Sequence, residues 1–197
     1  MRPTYLIPCT LAALFVLANS AAAACKQVKA ETDINGIRIA DPDSTRRVLG
    51  PLFKDGELIV QQDKDAAGAD TSFPYLRLAT RDGRQELKLF SHYGDVADSY
   101  NEMEVAPAAA SKAPRLPFDA FATERGVELG LREKALIALL GSCFKRDRGK
   151  DGASVIKYEI TDERHPLLKR ANMPSYYAHY TFRAGRLVRF AFGFEYP

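Results

Sequence analysis

The side chains that could do chemistry are few, and none falls into a known catalytic or metal-binding pattern. The only histidines are His92, His165 and His179, and none has a second histidine or a cysteine at metal-ligand spacing. The chain carries no nucleophile elbow, no zinc-protease helix motif, no P-loop and no dinucleotide fingerprint. We therefore expect no metal, no cofactor and no enzymatic activity.

Two arrangements keep a hydrolase as the least supported alternative. Asp162, Glu163 and His165 stand close together, and carboxylates beside a histidine suit general acid–base catalysis. Cys143 with a distant histidine would suit a thiol nucleophile. A solvated polar surface is the alternative explanation of the first arrangement, and disulfide pairing is the alternative explanation of Cys143.

A stronger functional signal comes from a predicted β-hairpin. Residues 75–81 and 84–90 flank Asp82-Gly83, and Asp-Gly is a strong signal for a two-residue turn. This turn places four leucines on one face, as the pairs Leu78–Leu87 and Leu76–Leu89. Residues 101–106 are predicted to form a further strand, with Met103 and Val105 facing inward.

The opposite face of the predicted sheet carries aromatic residues among basic ones. An antiparallel sheet usually buries one face and leaves the other wet, and Tyr and Arg are enriched in interface hot spots. This face predicts a protein-binding surface made by Tyr75, Arg77, Lys88, Phe90, Tyr177, His179 and Arg189. The alternatives are an ordinary mixed surface, or a contact between two parts of the same chain.

The last hairpin joins residues 176–182 to residues 186–196. A two-residue turn at Ala184-Gly185 would mix polar and apolar side chains on each face. A three-residue loop at 183–185 separates them, so it is the turn that we predict. With that loop, Val188 points into the core and Leu187 points outward.

A repeated stretch of strand, turn and helix precedes each sheet segment. Residues 36–50 read Gly-Ile-Arg-Ile-Ala and end in Val-Leu-Gly, and residues 126–141 read Gly-Val-Glu-Leu-Gly and end in Leu-Leu-Gly. In the first copy, Asp41 suits an N-cap, Pro42 suits the first helical position, and Gly50 followed by Pro51 is expected to end the helix. The repetition predicts a duplicated architecture.

The sequence thus predicts an α+β fold of two tandem units, each a short helix packed on an antiparallel sheet. The units are residues 25–106 and 118–197, and residues 107–117, with three prolines, are predicted to form a linker between them. Residues 145–152 and 162–175 are polar and are predicted to be loops.

Residues 1–24 have the pattern of a secretory signal peptide. Arg2 precedes an apolar run at 11–18, and small residues follow at 19–24. The run is shorter than the ~20 residues that a membrane-spanning helix needs, so we expect no transmembrane helix after processing. We expect a bacterial protein that is periplasmic or secreted. The whole-chain net charge of +3, to which Arg2 contributes, is too small to indicate a nucleic-acid partner.

Export makes the cysteines informative. Cys9 would leave with the signal peptide, and the remaining Cys25 and Cys143 are predicted to form a disulfide in an oxidising compartment. Alternatively, Cys25 follows three alanines and could carry a lipid, which would anchor the protein to the outer membrane as an envelope lipoprotein with a structural role. The two interpretations compete because both use the same thiol.

A short helical segment followed by an antiparallel sheet, twice in tandem in an exported chain, resembles the architecture of the beta-lactamase inhibitor proteins. The pattern of glycine, hydrophobic residues and Leu-Gly is similar to that of small outer-membrane assembly lipoproteins of the SmpA/OmlA type. The resemblance implies a non-enzymatic protein that presents a concave sheet to a protein partner, as an inhibitor or an immunity-type protein would. It assigns no particular contact residue.

Overall fold

The computed structural model describes residues 28–55, 59–92, 94, 97–109, 111–149 and 152–195. The predicted signal peptide at 1–24 and Cys25 lie outside the described residues. The described helices are α1 (Pro42–Asp55), α2 (Glu133–Leu140) and α3 (Pro166–Ala171). The described strands are β1 (Asp33–Ile34), β2 (Ile37–Arg38), β3 (Val60–Gln61), β4 (Tyr75–Ala79), β5 (Gln85–Phe90), β6 (Glu102–Pro107), β7 (Lys145–Arg148), β8 (Ser154–Ile160), β9 (Ser175–Arg183) and β10 (Arg186–Glu195).

Eight of the strands form one antiparallel sheet in the order β3-β4-β5-β6-β10-β9-β8-β7. The sheet and the helices confirm the α+β class. A helix precedes four strands in each half of the chain, but β6 and β10 join the strands of both halves into a single sheet. The division into two tandem units therefore stays a prediction.

The join between β6 and β10 requires a glycine. Gly193 pairs with Glu102, and a Cβ atom added at Gly193 would lie 2.7 Å from the Cα of Glu102 and still closer to the carbonyl oxygen of Asn101. A side chain at position 193 would therefore push the two central strands apart.

The helices cover one face of the sheet. Leu49 of α1, Leu136 and Leu140 of α2, and Leu167 and Leu168 of α3 are buried in the same hydrophobic cluster as the inward side chains of the strands. These strand residues are Leu76, Leu78, Leu87, Leu89, Met103, Val105, Ile156, Tyr158, Ile160, Tyr176, Ala178, Tyr180, Phe182, Leu187, Phe190, Phe192 and Phe194.

The first hairpin and the strand after it are confirmed. Leu78 pairs with Leu87 and Leu76 with Leu89, as the Asp-Gly turn predicts. Met103 and Val105 of β6 are fully buried. Turn chemistry and apolar alternation agree here, so the local sequence is enough to set the register.

The two strands of the last hairpin are confirmed, but the predicted three-residue loop is wrong. Arg183 pairs with Arg186, so the loop is the two-residue Ala184-Gly185, and both residues have positive φ. A bulge between Leu187 and Arg189 then shifts the register by one residue. The bulge lets Leu187 and Phe190 both point into the core, while Val188 is only partly buried.

Helix α1 begins as predicted but does not end at Gly50. The Asp41 carboxylate accepts a hydrogen bond from the backbone N–H of Ser44 at 3.1 Å, which is the expected N-cap contact. The helix continues to Asp55, with Pro51 inside it. Leu49 is buried and Leu52 packs against the core, so apolar contacts on both sides of Pro51 offset the lost backbone hydrogen bond.

The β1–β2 turn contacts the segment that precedes the second glycine-containing stretch. Asn35-Gly36, both at positive φ, make a tight turn between β1 and β2. Asn-Gly is a strong hairpin signal. Asn35 bonds with Ala122 through its backbone N–H and its side-chain oxygen, both at 3.1 Å. Helix α2 follows, and Gly141 ends it at φ 99°, as predicted.

Three segments predicted to be irregular are ordered against the sheet. Residues 145–148 form the charged edge strand β7 rather than a loop. Residues 166–171 form α3, which His165 caps by accepting a hydrogen bond from the N–H of Leu167 at 3.2 Å. Within the predicted linker, Pro114 and Leu116 bond to the backbone of Ala79, each at 2.8 Å. The loop-like composition was misleading, because backbone pairing and a few buried side chains (Leu116, Leu167 and Leu168) are enough to order these segments.

One carboxyl group is buried in the core. The Glu31 side chain is fully buried, and the nearest guanidinium atom, Nε of Arg125, lies 3.8 Å from its Oε1. The backbone N–H of Glu31 donates to the Tyr176 hydroxyl at 3.0 Å, and that hydroxyl donates to the Glu31 carbonyl at 2.8 Å. Burial raises the pKa of Glu31 from 4.5 to about 7, although Thr123 and Arg125 oppose this shift.

We expect Gly193→Ala to lower the free energy of unfolding by about 2–3 kcal/mol, because the added methyl group collides with the backbone of β6. Urea denaturation measures the change. Gly50→Ala is the matched control, because it adds a methyl group in a helix with no atom within 4 Å. The control should be neutral or stabilising by up to about 1 kcal/mol. A similar loss in both variants would contradict the close approach at Gly193.

We expect the protein to lose stability between pH 4.5 and 7, the two pKa values of Glu31. In this window the folded state holds the Glu31 proton and the unfolded state has released it, so the free energy of unfolding falls as pH rises. At about 1.4 kcal/mol per pH unit, the loss is roughly 3 kcal/mol. Glu31→Gln should remove this part of the pH dependence in denaturation measured at several pH values. Glu163→Gln, at an exposed position, should leave the change of unfolding free energy with pH as it is in the unaltered protein. If Glu31→Gln also leaves this pH dependence unchanged, the expectation is wrong.

Candidate functional site

The seven residues predicted to bind a partner lie on one face of the sheet, opposite the helices. Cross-strand pairing connects Arg77, Lys88 and Glu104, and then Ala191, His179 and Lys157. A neighbouring row runs through Tyr75, Phe90, Glu102, Gly193, Tyr177 and Glu159. We call this surface the open face: the outward side chains of these two rows, together with Glu86, Arg189, Thr181, Lys145 and Asp147. No described helix packs on it.

Two of the predicted contact residues are poorly accessible. Tyr75 is 5% exposed and Phe90 is 8% exposed, and their ring centroids are 5.1 Å apart. The Tyr75 hydroxyl donates to Asp63 at 2.7 Å, and the Lys88 ammonium lies 4.3 Å from the centre of the Tyr75 ring. Burial and Asp63 raise the pKa of Tyr75 to about 12. Tyr75 and Phe90 therefore pack beneath the open face and form little of its accessible surface.

Arg77 and Arg189 of the open face are more exposed to solvent than the acids with which they pair. Arg77 bonds to Glu86, and its side chain is 34% exposed against 15% for the acid. Arg189 bonds to Glu104, with side-chain exposures of 58% and 12%. Burial alone would raise the pKa of Glu86, but the Ser111 and Arg77 hydrogen bonds hold it below its usual value. The carboxylates are thus shielded and the guanidinium groups meet the solvent.

The centre of the open face lacks large side chains on β10. Gly193 and Ala191 lie between β6 and β9, and Tyr177 pairs directly with Gly193. Tyr177 and Glu102 therefore lie on opposite sides of the glycine. Burial raises the pKa of Glu102 and of Tyr177, and the Glu102 carboxylate raises the pKa of Tyr177 further. We call this strip of small residues the trough; Tyr177 lies on one side of it, and Glu102 and Glu104 lie on the other.

His179 lines the same trough. Its ring is 5.0 Å from that of Tyr177, and it pairs with Ala191 on one side and Lys157 on the other. Burial lowers the pKa of His179, and the Lys157 ammonium lowers it further, although Glu159, Glu195 and Asp147 act in the opposite direction.

The other candidate residues from the sequence make structural contacts outside the open face. His165 caps α3, and Asp162 bonds to the side chain of Arg164 at 3.1 Å. Cys143 is not a free thiol, but Cys25 lies outside the described residues, so the Cys25–Cys143 disulfide stays a prediction. The acids Glu102 and Glu104 were overlooked as part of the face, although the alternation of β6 places them there.

No model of a known protein family matches the chain, and no curated protein or solved structure matches it. Among the residues that the structure describes, no group of three or more His, Cys, Asp or Glu side chains is placed to hold a metal ion. Within the same residues, no helix has the length and apolar character needed to cross a membrane.

We expect His179 to titrate below its usual pKa of 6.5, because its ring is partly buried beside Lys157. Lys157→Gln should raise the pKa of His179, since it removes the neighbouring positive charge. NMR titration of the ring protons measures both values. Lys169→Gln, on α3, is the matched control and should leave the pKa of His179 unchanged. An unchanged value in Lys157→Gln would contradict the proposed geometry of the trough.

Proposed function

We propose that this protein is an exported bacterial protein that binds another protein through the open face. The observation that carries the proposal is the asymmetry of the sheet. One face is buried beneath three helices, and the other carries Arg189, Tyr177 and His179 with no described helix over them. A broad sheet surface with a shallow central trough suits a protein partner better than it suits a small molecule.

The charges of the open face indicate the chemistry of the partner. Arg77 and Arg189 lie outermost, and their acids are shielded. Lys145 follows the same pattern with Glu159, at side-chain exposures of 72% and 38%. A partner that presents carboxylates would meet these cations first, and complementary charges favour both encounter and orientation.

The aromatic residue at the centre supplies the apolar part of the contact. Tyr177 is partly buried and its ring packs beside that of His179, so it loses little side-chain entropy on binding. Pre-ordered tyrosines flanked by arginines are typical of interface hot spots. We therefore propose Tyr177 and Arg189 as the main contacts, with Arg77, Lys88 and His179 around them.

Site-specific photocrosslinking in the bacterium that makes the protein tests this proposal. A photoreactive amino acid at Thr181, on the open face, should give a crosslinked product with a protein partner. The same residue at Lys134, an exposed position on α2, should not give that product. Mass spectrometry identifies the partner.

Charge reversal provides the second comparison. Arg189→Glu combined with Arg77→Glu should lower the yield of the Thr181 product about tenfold, because two outward cations become anions. Arg47→Glu, at an exposed position on α1, should have no effect. An equal product from Lys134, or an undiminished yield in the double variant, would show that the open face is not the binding surface.

A further inference from the structure

A cavity lies on the helix-covered side of the sheet, away from the open face. It has a volume of about 240 Å³ and lies between the end of the β1–β2 hairpin, the start of α1, α3 and the end of β10. Its apolar lining includes Ile39, Leu167 and Phe194, which are 4%, 7% and 1% exposed. The inner part of the cavity is therefore apolar and shielded from water.

Two arginines from different elements line the same cavity. Arg38 comes from β2 and Arg170 from α3, and both are exposed. Among the described residues, neither guanidinium group has a hydrogen bond or an ion pair. Most other arginines that the structure describes do bind an acid or a carbonyl oxygen, including Arg46, Arg81 and Arg186.

The acid in the lining does not cancel this positive charge. Asp41 lines the cavity, but its carboxylate accepts the hydrogen bond from Ser44 that caps α1. With Arg38 and Arg170, the lining keeps a formal excess of one positive charge. Two guanidinium groups at the rim of an apolar cavity match a carboxylate joined to an apolar body.

We propose that this cavity binds a small organic anion with an apolar body. The apolar part lies against Phe194 and Leu167, and the carboxylate lies between Arg38 and Arg170. The volume corresponds to about eight water-sized groups at ~30 Å³ each. Hexanoate has about that many non-hydrogen atoms and is therefore a suitable test ligand. The carboxylate could belong to a free small molecule or to the C-terminus of a peptide.

Titration of the isotope-labelled protein by NMR tests the proposal. Hexanoate should bind with a Kd on the order of 1 mM and shift the amide signals of Ile39 and Ala171, which line the cavity. Hexanol lacks the charge and acetate lacks the tail, so each should bind at least about tenfold more weakly. A short acetylated peptide ending in leucine, compared with its C-terminal amide, distinguishes a peptide source of the carboxylate from a free acid.

Three variants locate the site. Arg38→Gln combined with Arg170→Gln should weaken hexanoate binding at least about tenfold, and Ala171→Leu should block it by filling the cavity. Arg47→Gln combined with Arg148→Gln removes two other exposed arginines and should leave binding unchanged. Thermal unfolding verifies that each variant is folded. Equal binding of acetate and hexanoate, no saturable binding, or an undiminished affinity in the Arg38/Arg170 variant would overturn the proposal.

Discussion

The pairing of β6 with β10 is the contact on which the rest of the structure depends. It joins strands from the two halves of the chain into one sheet, and it holds only because position 193 has no side chain. The pairing also brings Arg189 to Glu104, which is 85 residues away in sequence. Without this contact, the two runs of strands would bear two separate small surfaces rather than one open face.

The two faces of the sheet are stabilised by different interactions. On the inner face, leucines and aromatic rings bury apolar surface against three helices, which is the main favourable contribution to folding. On the open face, charged side chains pair across strands, and a trough remains where β10 has Ala191 and Gly193. Arg77 and Arg189 are more exposed than the acids with which they pair, whereas Asp147 is more exposed than Lys157.

The buried carboxyl group of Glu31 lowers the stability of the fold. Glu31 is an acid buried beside tyrosines, and ionising it in the core is costly.

The two edges of the sheet differ from each other. All four residues of β7 are exposed and charged, which discourages pairing with another chain. The strand at the opposite edge, β3, is described over only two residues.

The sequence by itself determined the features that depend on near neighbours. The Asp82-Gly83 turn and four leucines predicted the register of β4 and β5, Asp41 predicted the start of α1, and Gly141 predicted the end of α2. The alternation of strand residues also placed Tyr177, His179 and Arg189 on one face. Each of these features depends on turn chemistry, helix capping or side-chain periodicity, which operate over a few residues.

Only the tertiary structure decided which of those elements pack against each other. It joined β6 to β10, bulged β10 at Val188 so that Leu187 and Phe190 both reach the core, and carried α1 through Pro51. It also buried Tyr75 and Phe90 on the face where the sequence predicted accessible contacts. These outcomes depend on packing between segments far apart in sequence. Such packing can outweigh local preference, because the apolar surface that it buries contributes more free energy than a single turn or cap.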